Sequence, residues 1–341
     1  MRLASVSPGQ LAARLAALEV RVESALVERR QVSLPDYPSG PRPSSVVRLS
    51  GAGRVGVGEN VAFVDAEHAR FAAHIEAWFQ ARSTLPRLTV GGALTAEGTP
   101  YERAALQAAL IDLALRQAEL SLADLTGVRE ASLRFVASLA ADPEPEVAIR
   151  RLRREGYRGD LKLDVEPSWG PRALDAVARD SSIVILDFKG RGELALLRQL
   201  RTLCPHALFE DPPSDFELAE LSAPALISRD ATLPDEGAVA EASGRGEAVN
   251  LKAPRMGGPL AVLRSLERAL APASMHRDSA GVAYLGGMFE IDVGRVQARQ
   301  LAALYCAAAP NDLALNVVSA ASARAPSPAR IRLDLPGFGA S

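Results

Sequence analysis

Ile183-Val184-Ile185-Leu186 runs into Asp187, Ala207-Leu208-Phe209 into Glu210, and Ala225-Leu226-Ile227-Ser228 into Arg229 and Asp230. Three short apolar runs each end in an acid, with 23 residues from Asp187 to Glu210 and 20 from Glu210 to Asp230. That spacing holds one strand, one helix and two loops. Apolar runs of this length, bounded by turn signals, read as strands buried on both faces. A helical pattern at Glu193–Leu203 separates two of them, and repeated strand–helix units predict a parallel sheet. In a β/α barrel every strand ends at the same face, and active sites sit there. The three carboxylates are therefore expected at one mouth. Three hard oxygen donors with room for water suit Mg²⁺, with Mn²⁺ as the alternative. Taken singly, each acid reads equally well as a cap of the following helix. The series of three is what points to a metal.

The same rhythm extends in both directions. Strands are expected at Ser132–Leu139, Leu161–Val165, Ala248–Leu251, Val282–Leu285 and Leu313–Val317. Helices are expected at Glu144–Arg154, Pro171–Arg179, Leu260–Leu270 and Asp292–Ala307. Thr99-Pro100-Tyr101-Glu102 is a capping box with proline at the first helical position. The helix it opens is apolar nearly all round, as suits a helix buried between two domains. Asp112 on that helix needs a partner. Residues 1–98 break the rhythm. A helix is expected over Leu11–Val27, a Pro-rich loop carrying Tyr37 over Glu28–Pro43, a hairpin at Ser45–Leu49 and Arg54–Val57, and a helix at Asp65–Gln80. This is an α+β unit, read as a cap. The tail, Ile331-Arg332-Leu333-Asp334-Leu335, alternates like a half-buried strand and is expected to return to the cap. The chain thus divides into a capping domain, 1–98 with the tail 325–341, and a barrel domain, 99–324.

Composition narrows the partners. The 341 residues carry a formal net charge of −2, so no basic surface calls for nucleic acid. No run of about 20 apolar residues suggests a membrane span, and residues 1–8 hold no long apolar leader. Two distant cysteines, Cys204 and Cys306, suit a reducing, cytoplasmic setting. The four histidines form no metal-ligand pattern, and P-loop, dinucleotide and serine-elbow signatures are missing. A small-molecule substrate is expected; homo-oligomerisation is left open.

Two lysines flank the acids. Lys162 falls on the second barrel strand and Lys252 follows the sixth. Asp160, Lys162 and Asp164 alternate, so all three face one way. A lysine beside a metal and a second cation has its pKa lowered, whereas Asp160 and Asp164 would hold it charged. Lysines on both sides of a dication suit abstraction of the weakly acidic proton next to a carboxylate, the metal neutralising the resulting enediolate. As a plain alternative, Lys162 is a salt-bridge partner of its own strand's acids.

These residues resemble the enolase superfamily, in the muconate-lactonizing subgroup of o-succinylbenzoate synthases, muconate cycloisomerases and dipeptide epimerases. Gly56-Val57-Gly58-Glu59 is similar to the capping-domain hairpin. Ala105–Gly127 is similar to the interdomain helix. Leu186-Asp187-Phe188, Phe209-Glu210-Asp211-Pro212 and Arg229-Asp230 match the metal-bearing strand ends. Val249-Asn250-Leu251-Lys252 with Gly257-Gly258 matches the sixth-strand lysine, and Gly287-Met288-Phe289-Glu290 the seventh-strand acid. The resemblance implies an enolase-type (β/α) barrel, a modified TIM barrel with an α+β capping domain. It also implies Lys162 and Lys252 as catalytic groups, Asp187, Glu210 and Asp230 on the metal, and Asp160, Asp164, Lys189, Glu290 and Tyr37 around substrate or ligands. The sequence departs from the family's pattern in three places. Lys-x-Lys on the second strand, whose second lysine is the family's base, reads Asp160-Leu161-Lys162 with Lys162 at the base position, and the other register would put Asp164 there. Lys189 replaces an asparagine, and Ala231 follows Asp230. The activity implied first is an o-succinylbenzoate synthase-like dehydration. A racemase, epimerase or cycloisomerase, and a catalytically silent binding protein, are the alternatives.

Overall fold

A computed structural model describes residues 4–33, 40–82, 88–94, 96–213, 227–271, 283–313 and 328–339. Tyr37 and most of the strand expected at Leu313–Val317 lie outside the described residues. Among the described residues no helix is long and apolar enough to cross a membrane.

Seven parallel strands follow one another in sequence order: Val136–Leu139, Asp160–Asp164, Ile183–Asp187, Leu208–Glu210, Ile227–Arg229, Ala248–Leu251 and Ala283–Leu285. Helices Pro145–Arg154, Pro171–Arg179, Leu194–Leu203, Glu236–Gly244, Pro259–Ala269 and Val293–Tyr305 alternate with them. The two edges of the sheet meet through Asn311-Asp312, which forms parallel bridges to Phe135 on one side and Gly286 on the other. Asn311 is fully buried, and its amide nitrogen donates to the carbonyls of Arg134, Cys306 and Ala309 while its oxygen accepts from Leu285 N–H. A buried amide satisfied in this way fixes the closing segment and leaves no open sheet edge there. Ile183, Ile185, Leu186, Phe209 and Val249 have no exposed surface, as parallel strands covered on both faces require.

The N-terminal unit differs from the sequence expectation in the helix expected over Leu11–Val27 and in the loop expected over Glu28–Pro43, whose two ends are strand. The helix runs only over Pro8–Ala17, opened by a Ser7–Gln10 capping box. The chain then forms a nine-residue strand, Ser24–Val32, antiparallel to Arg42–Gly51, which pairs in turn with Arg54–Asn60. This first strand alternates exposed and half-buried residues, with Leu26 62% exposed. An edge strand with so little apolar face carries no hydrophobic signature.

The expected Thr99–Glu102 capping box forms, and it starts helix Pro100–Gln117. The hairpin lies directly on that helix. A Cβ at Gly56 would collide with the Ala109 carbonyl and the Leu113 amide, and one at Gly58 with the Ala105 carbonyl. Glycine is what permits this approach. Asp112 supplies the bond that the packing demands: it accepts Val57 N–H at 3.0 Å, Phe338 N–H at 2.7 Å and Arg116 Nε at 3.0 Å.

The tail strand, Ala329–Arg332, does not pair with the N-terminal sheet. Its antiparallel partner is Glu130–Leu133, so the single strand expected over Ser132–Leu139 is two short ones. Alternation marks a half-buried strand without naming its neighbour. Beyond it, Phe338 reaches Asp112 and is fully buried.

Candidate active site

Strand register brings the acids into one layer. Asp164 pairs with Asp187, and Asp187 with Glu210; Asp230 stands just past the end of the fifth strand. Alternation then places Lys162 one layer deeper than Asp164, facing the same way. Its ammonium lies 2.5 Å from Glu210 Oε1, 3.0 Å from Asp187 Oδ2 and 3.1 Å from Asp312 Oδ2, and its side chain is only 4% exposed. On the far side, Lys252 Nζ lies 2.7 Å from Asp230 Oδ2, and Arg255 Nη1 2.6 Å from Asp230 Oδ1.

The electrostatics follow from these pairs. Burial disfavours charge on Lys162, but Asp312, Glu210 and Asp187 outweigh it and raise its pKa well above the ordinary lysine value. Among the acids that hold Lys162 charged, Asp312 leads, rather than Asp160 or Asp164. Burial also opposes ionisation of Asp187, Asp230 and Asp312. Lys162 and Lys189 nonetheless hold Asp187 low, Lys252, Lys162 and Arg255 hold Asp230 low, and Lys162 and Lys252 hold Asp312 low. Glu210 is drawn up to about 7 by burial, against the pull of Lys162. With Lys162, Asn250 Nδ2 at 3.3 Å and Tyr284 OH at 2.6 Å all donating to it, the ionised acceptor is the form this geometry serves.

The other expected residues divide. Asp164 and Lys189 belong to the site: Lys189 Nζ lies 3.1 Å from Asp164 Oδ1 and 2.8 Å from Asp187 Oδ2, and its backbone N–H donates to Asp187 Oδ1. Lys189 does so from a left-handed backbone, φ 50°, that a non-glycine residue seldom adopts. Asp160 does not belong. It begins its strand, at the barrel end away from the mouth, and pairs with Arg134 at 2.5 Å. Alternation gave its facing correctly but carried no depth. Glu290 lies aside from the carboxylates. It accepts Met288 N–H and faces Arg295 and Glu59, and burial raises its pKa.

Sequence reasoning missed Asp312, Tyr284 and Arg255, and gave no role to Asn250 and Asp211 within the motifs it quoted. Asp211, at φ 42°, accepts the N–H groups of Asp230 and Ala231 and so orients the fifth strand's end, whatever residue 231 is. One compositional signal was available. Lys162, Lys189 and Lys252 are the only lysines in the chain; the rest of the 39 basic residues are arginines. All three lysines lie at this site.

The N-terminal unit reaches the loop after the seventh strand. Glu59 accepts N–H bonds from Ile291, Asp292 and Gly294. Buried Arg42 donates to the carbonyls of Val61, Ala62 and Met288. Phe63 meets both Tyr101 and Phe289 edge-on.

A barrel with acids on three successive strands, and a lysine on either side, is a fold similar to solved members of the enolase superfamily. Two family models match the chain: "Domain of unknown function (DUF8230) N-terminal domain" over residues 13–125 and its C-terminal counterpart over 129–319, so the chain is a member of the DUF8230 family. Among curated relatives, an N-succinylamino acid racemase of Thermus thermophilus is 31% identical over 231 residues, 63% of this chain and 60% of that protein. An o-succinylbenzoate synthase of Enterococcus faecalis is 27% identical over 225 residues, 62% of this chain and 59% of that one. The matched region thus spans about three fifths of either relative. In three dimensions, a dipeptide epimerase from Enterococcus faecalis, solved with Mg and the dipeptide L-Leu-L-Tyr, superposes with a TM-score of 0.73 at 19% identity, over 94% of this chain and 99% of that one. These relatives are enzymes.

Proposed function

We propose that the chain is an isomerase or lyase that moves the proton next to a substrate carboxylate. The observation that supports this reading most is the placement of Lys162 and Lys252 on opposite sides of Asp187, Glu210 and Asp230. In this reading those three acids hold a divalent cation, Mg²⁺ or alternatively Mn²⁺. The donors fit by chemical type, being three hard carboxylates at or just past strand ends, while their oxygens here face Lys162, Lys252 and Arg255. Bound there, a dication would neutralise charge building on the substrate carboxylate. Lys162 and Lys252 are the groups placed to take or return the proton, one from each side. Tyr284, Asn250 and Asp211 hold the carboxylates in position. Residues 1–98 act as the cap over the mouth, a role supported by the bonds of Glu59 and Arg42 to the loop after the seventh strand. A reducing, cytoplasmic setting suits the two buried, unpaired cysteines.

Dehydration of the o-succinylbenzoate synthase kind needs one lysine as base and the other as a fixed charge. Racemisation or epimerisation needs both amines to exchange protons. Both lysines are buried and bonded to carboxylates, and that pairing does not distinguish the two chemistries. The racemase relative shares the higher identity of the two, so racemisation of an N-acylamino acid is the reaction to try first. A catalytically silent binding protein is favoured by one observation: Asp164, not a lysine, occupies the mouth layer beside Asp187.

The test is incubation with an N-succinylamino acid and Mg²⁺ in D₂O, with the α-proton followed by NMR. Exchange should occur in the parent and be lost in Lys162→Ala and Lys252→Ala. Exchange that persists in both variants removes the lysines from the chemistry. Saturable Mn²⁺ binding with no exchange of any acylamino acid points to the silent scaffold.

A further inference from the structure

We propose that Lys162 is the resident cation at Asp187 and Glu210, and that a divalent ion binds by exchanging with it. The proposal rests on the reading that Asp187, Glu210 and Asp230 hold such an ion. Three carboxylate oxygens, from the third and fourth strands and from Asp312 in the closing segment, converge on one ammonium at 2.5, 3.0 and 3.1 Å. A lysine has three N–H donors, so each proton has an acceptor. The remaining oxygens are engaged as well. Glu210 Oε2 accepts from Tyr284, Asp187 Oδ1 from the Lys189 amide, and both oxygens of Asp230 from Lys252 and Arg255. Among the described residues no three acids draw together around a common metal-sized space. Lys162 is what they draw together around.

Charge makes coexistence unfavourable. Asp164, Asp187, Glu210, Asp211, Asp230 and Asp312 bring six carboxyl groups, and Lys162, Lys189, Lys252 and Arg255 four positive charges. A dication added to this set would face the Lys162 ammonium across a few ångströms. Moving Lys162 out removes that repulsion. The residue type is suited to such an exchange. A compact ammonium on a flexible four-carbon stem can sit among three oxygens and swing away, whereas a planar guanidinium fork cannot. In a chain that uses arginine for nearly every other basic residue, lysine stands at the three positions that touch these acids. Loading of the dication and release of the Lys162 amine toward substrate are then a single event.

The test is a Mn²⁺ titration at low salt, by calorimetry and by loss of the free-ion electron-spin signal. It compares the parent, Lys162→Gln and Lys189→Gln. Lys162→Gln should bind at least about ten-fold tighter than the parent, having lost a buried like charge. It should also unfold at lower temperature in chelator and recover on addition of Mg²⁺. Lys189→Gln should gain less, because the Lys189 side chain is 47% exposed and its charge is partly screened by water. Equal or weaker affinity in Lys162→Gln, or a larger gain in Lys189→Gln, overturns the proposal while leaving the metal reading in place. Absence of binding in all three proteins overturns both. A second measurement needs no variant. With ¹⁵N-lysine, the parent has three side-chain signals, and saturating Mg²⁺ should shift that of Lys162. A Lys162 signal unmoved at saturation overturns the exchange even if Lys162→Gln does not fold.

Discussion

Replacing Asp112 with alanine should cost about 3 kcal/mol of folding stability. Asp112 has no exposed surface and serves three donors: the Val57 and Phe338 amides, and Arg116 Nε. Arg116 is partly exposed and can turn to water, so its loss counts for little. The two amides are buried. Each buried donor left without an acceptor costs roughly 1–3 kcal/mol, giving ~2–6 kcal/mol for the pair. Part of this is offset, because burial raises the pKa of Asp112 and removing the side chain removes that unfavourable burial. About 3 kcal/mol is a substantial share of the ~5–15 kcal/mol that stabilises an ordinary domain. Urea denaturation followed by circular dichroism measures the loss, and amide hydrogen exchange locates it. Asp112→Asn sharpens the test. Its single carbonyl oxygen can serve one side of the residue, so either Val57 or Phe338 must lose protection, whichever way the amide lies. Stability of Asp112→Ala within ~0.5 kcal/mol of the parent, or full protection of both amides in Asp112→Asn, would refute the reasoning.

Gly58→Ala should cost about 3 kcal/mol in the same urea assay, because its Cβ meets the Ala105 carbonyl and the backbone must shift; a neutral outcome would mean that the hairpin does not lie on the helix. Removing residues 328–341 should raise hydrogen exchange in Glu130–Leu133 and at Val57, the first through the lost ladder and the second through Asp112. Unchanged exchange at Glu130–Leu133 would refute that pairing. Asp187, Asp230 and Asp312 have lowered pKa values in the fold, so their contribution is present above their unfolded values, roughly 4, and is lost as pH falls through the folded ones. The urea midpoint should therefore drop steadily below about pH 4, and less steeply in Lys252→Met, which loses the lysine that holds Asp230 low. A parent midpoint flat with acid would count against these pairs.

The barrel was readable because its signal is local. A three- or four-residue run that leads into an acid states its own strand and its own end, and the placement of Asp187, Glu210 and Asp230 on strand ends needed nothing more. What went unread depends on distant partners. Ser24–Val32 is held by its ladder with Arg42–Gly51, and Ile331 alternates identically whichever strand it meets. Asp312 faces Lys162 across 150 residues of sequence and precedes its apolar run rather than ending it, so a search for acids at strand ends passed over it. Asp160 shares the facing of Lys162 but not its depth, since alternation records a side of the sheet and not a position along the barrel axis. Tyr37 lies outside the described residues, and its part in choosing substrate stays an expectation.

The placement of the lysines has a practical side for anyone handling the protein. Amine-directed reagents, which on most proteins scatter over the surface, have three side-chain targets here, all at the barrel mouth. Two are shielded, Lys162 at 3% and Lys252 at 8% exposure. An amine-coupled fluorophore or sensor surface would therefore attach through Lys189, or through an α-amino group, and attachment at Lys189 obstructs the mouth itself. Immobilisation through the buried cysteines is no easier. A binding experiment on a chip needs an added tag, and a negative result from an amine-coupled one reports on the coupling rather than on the site.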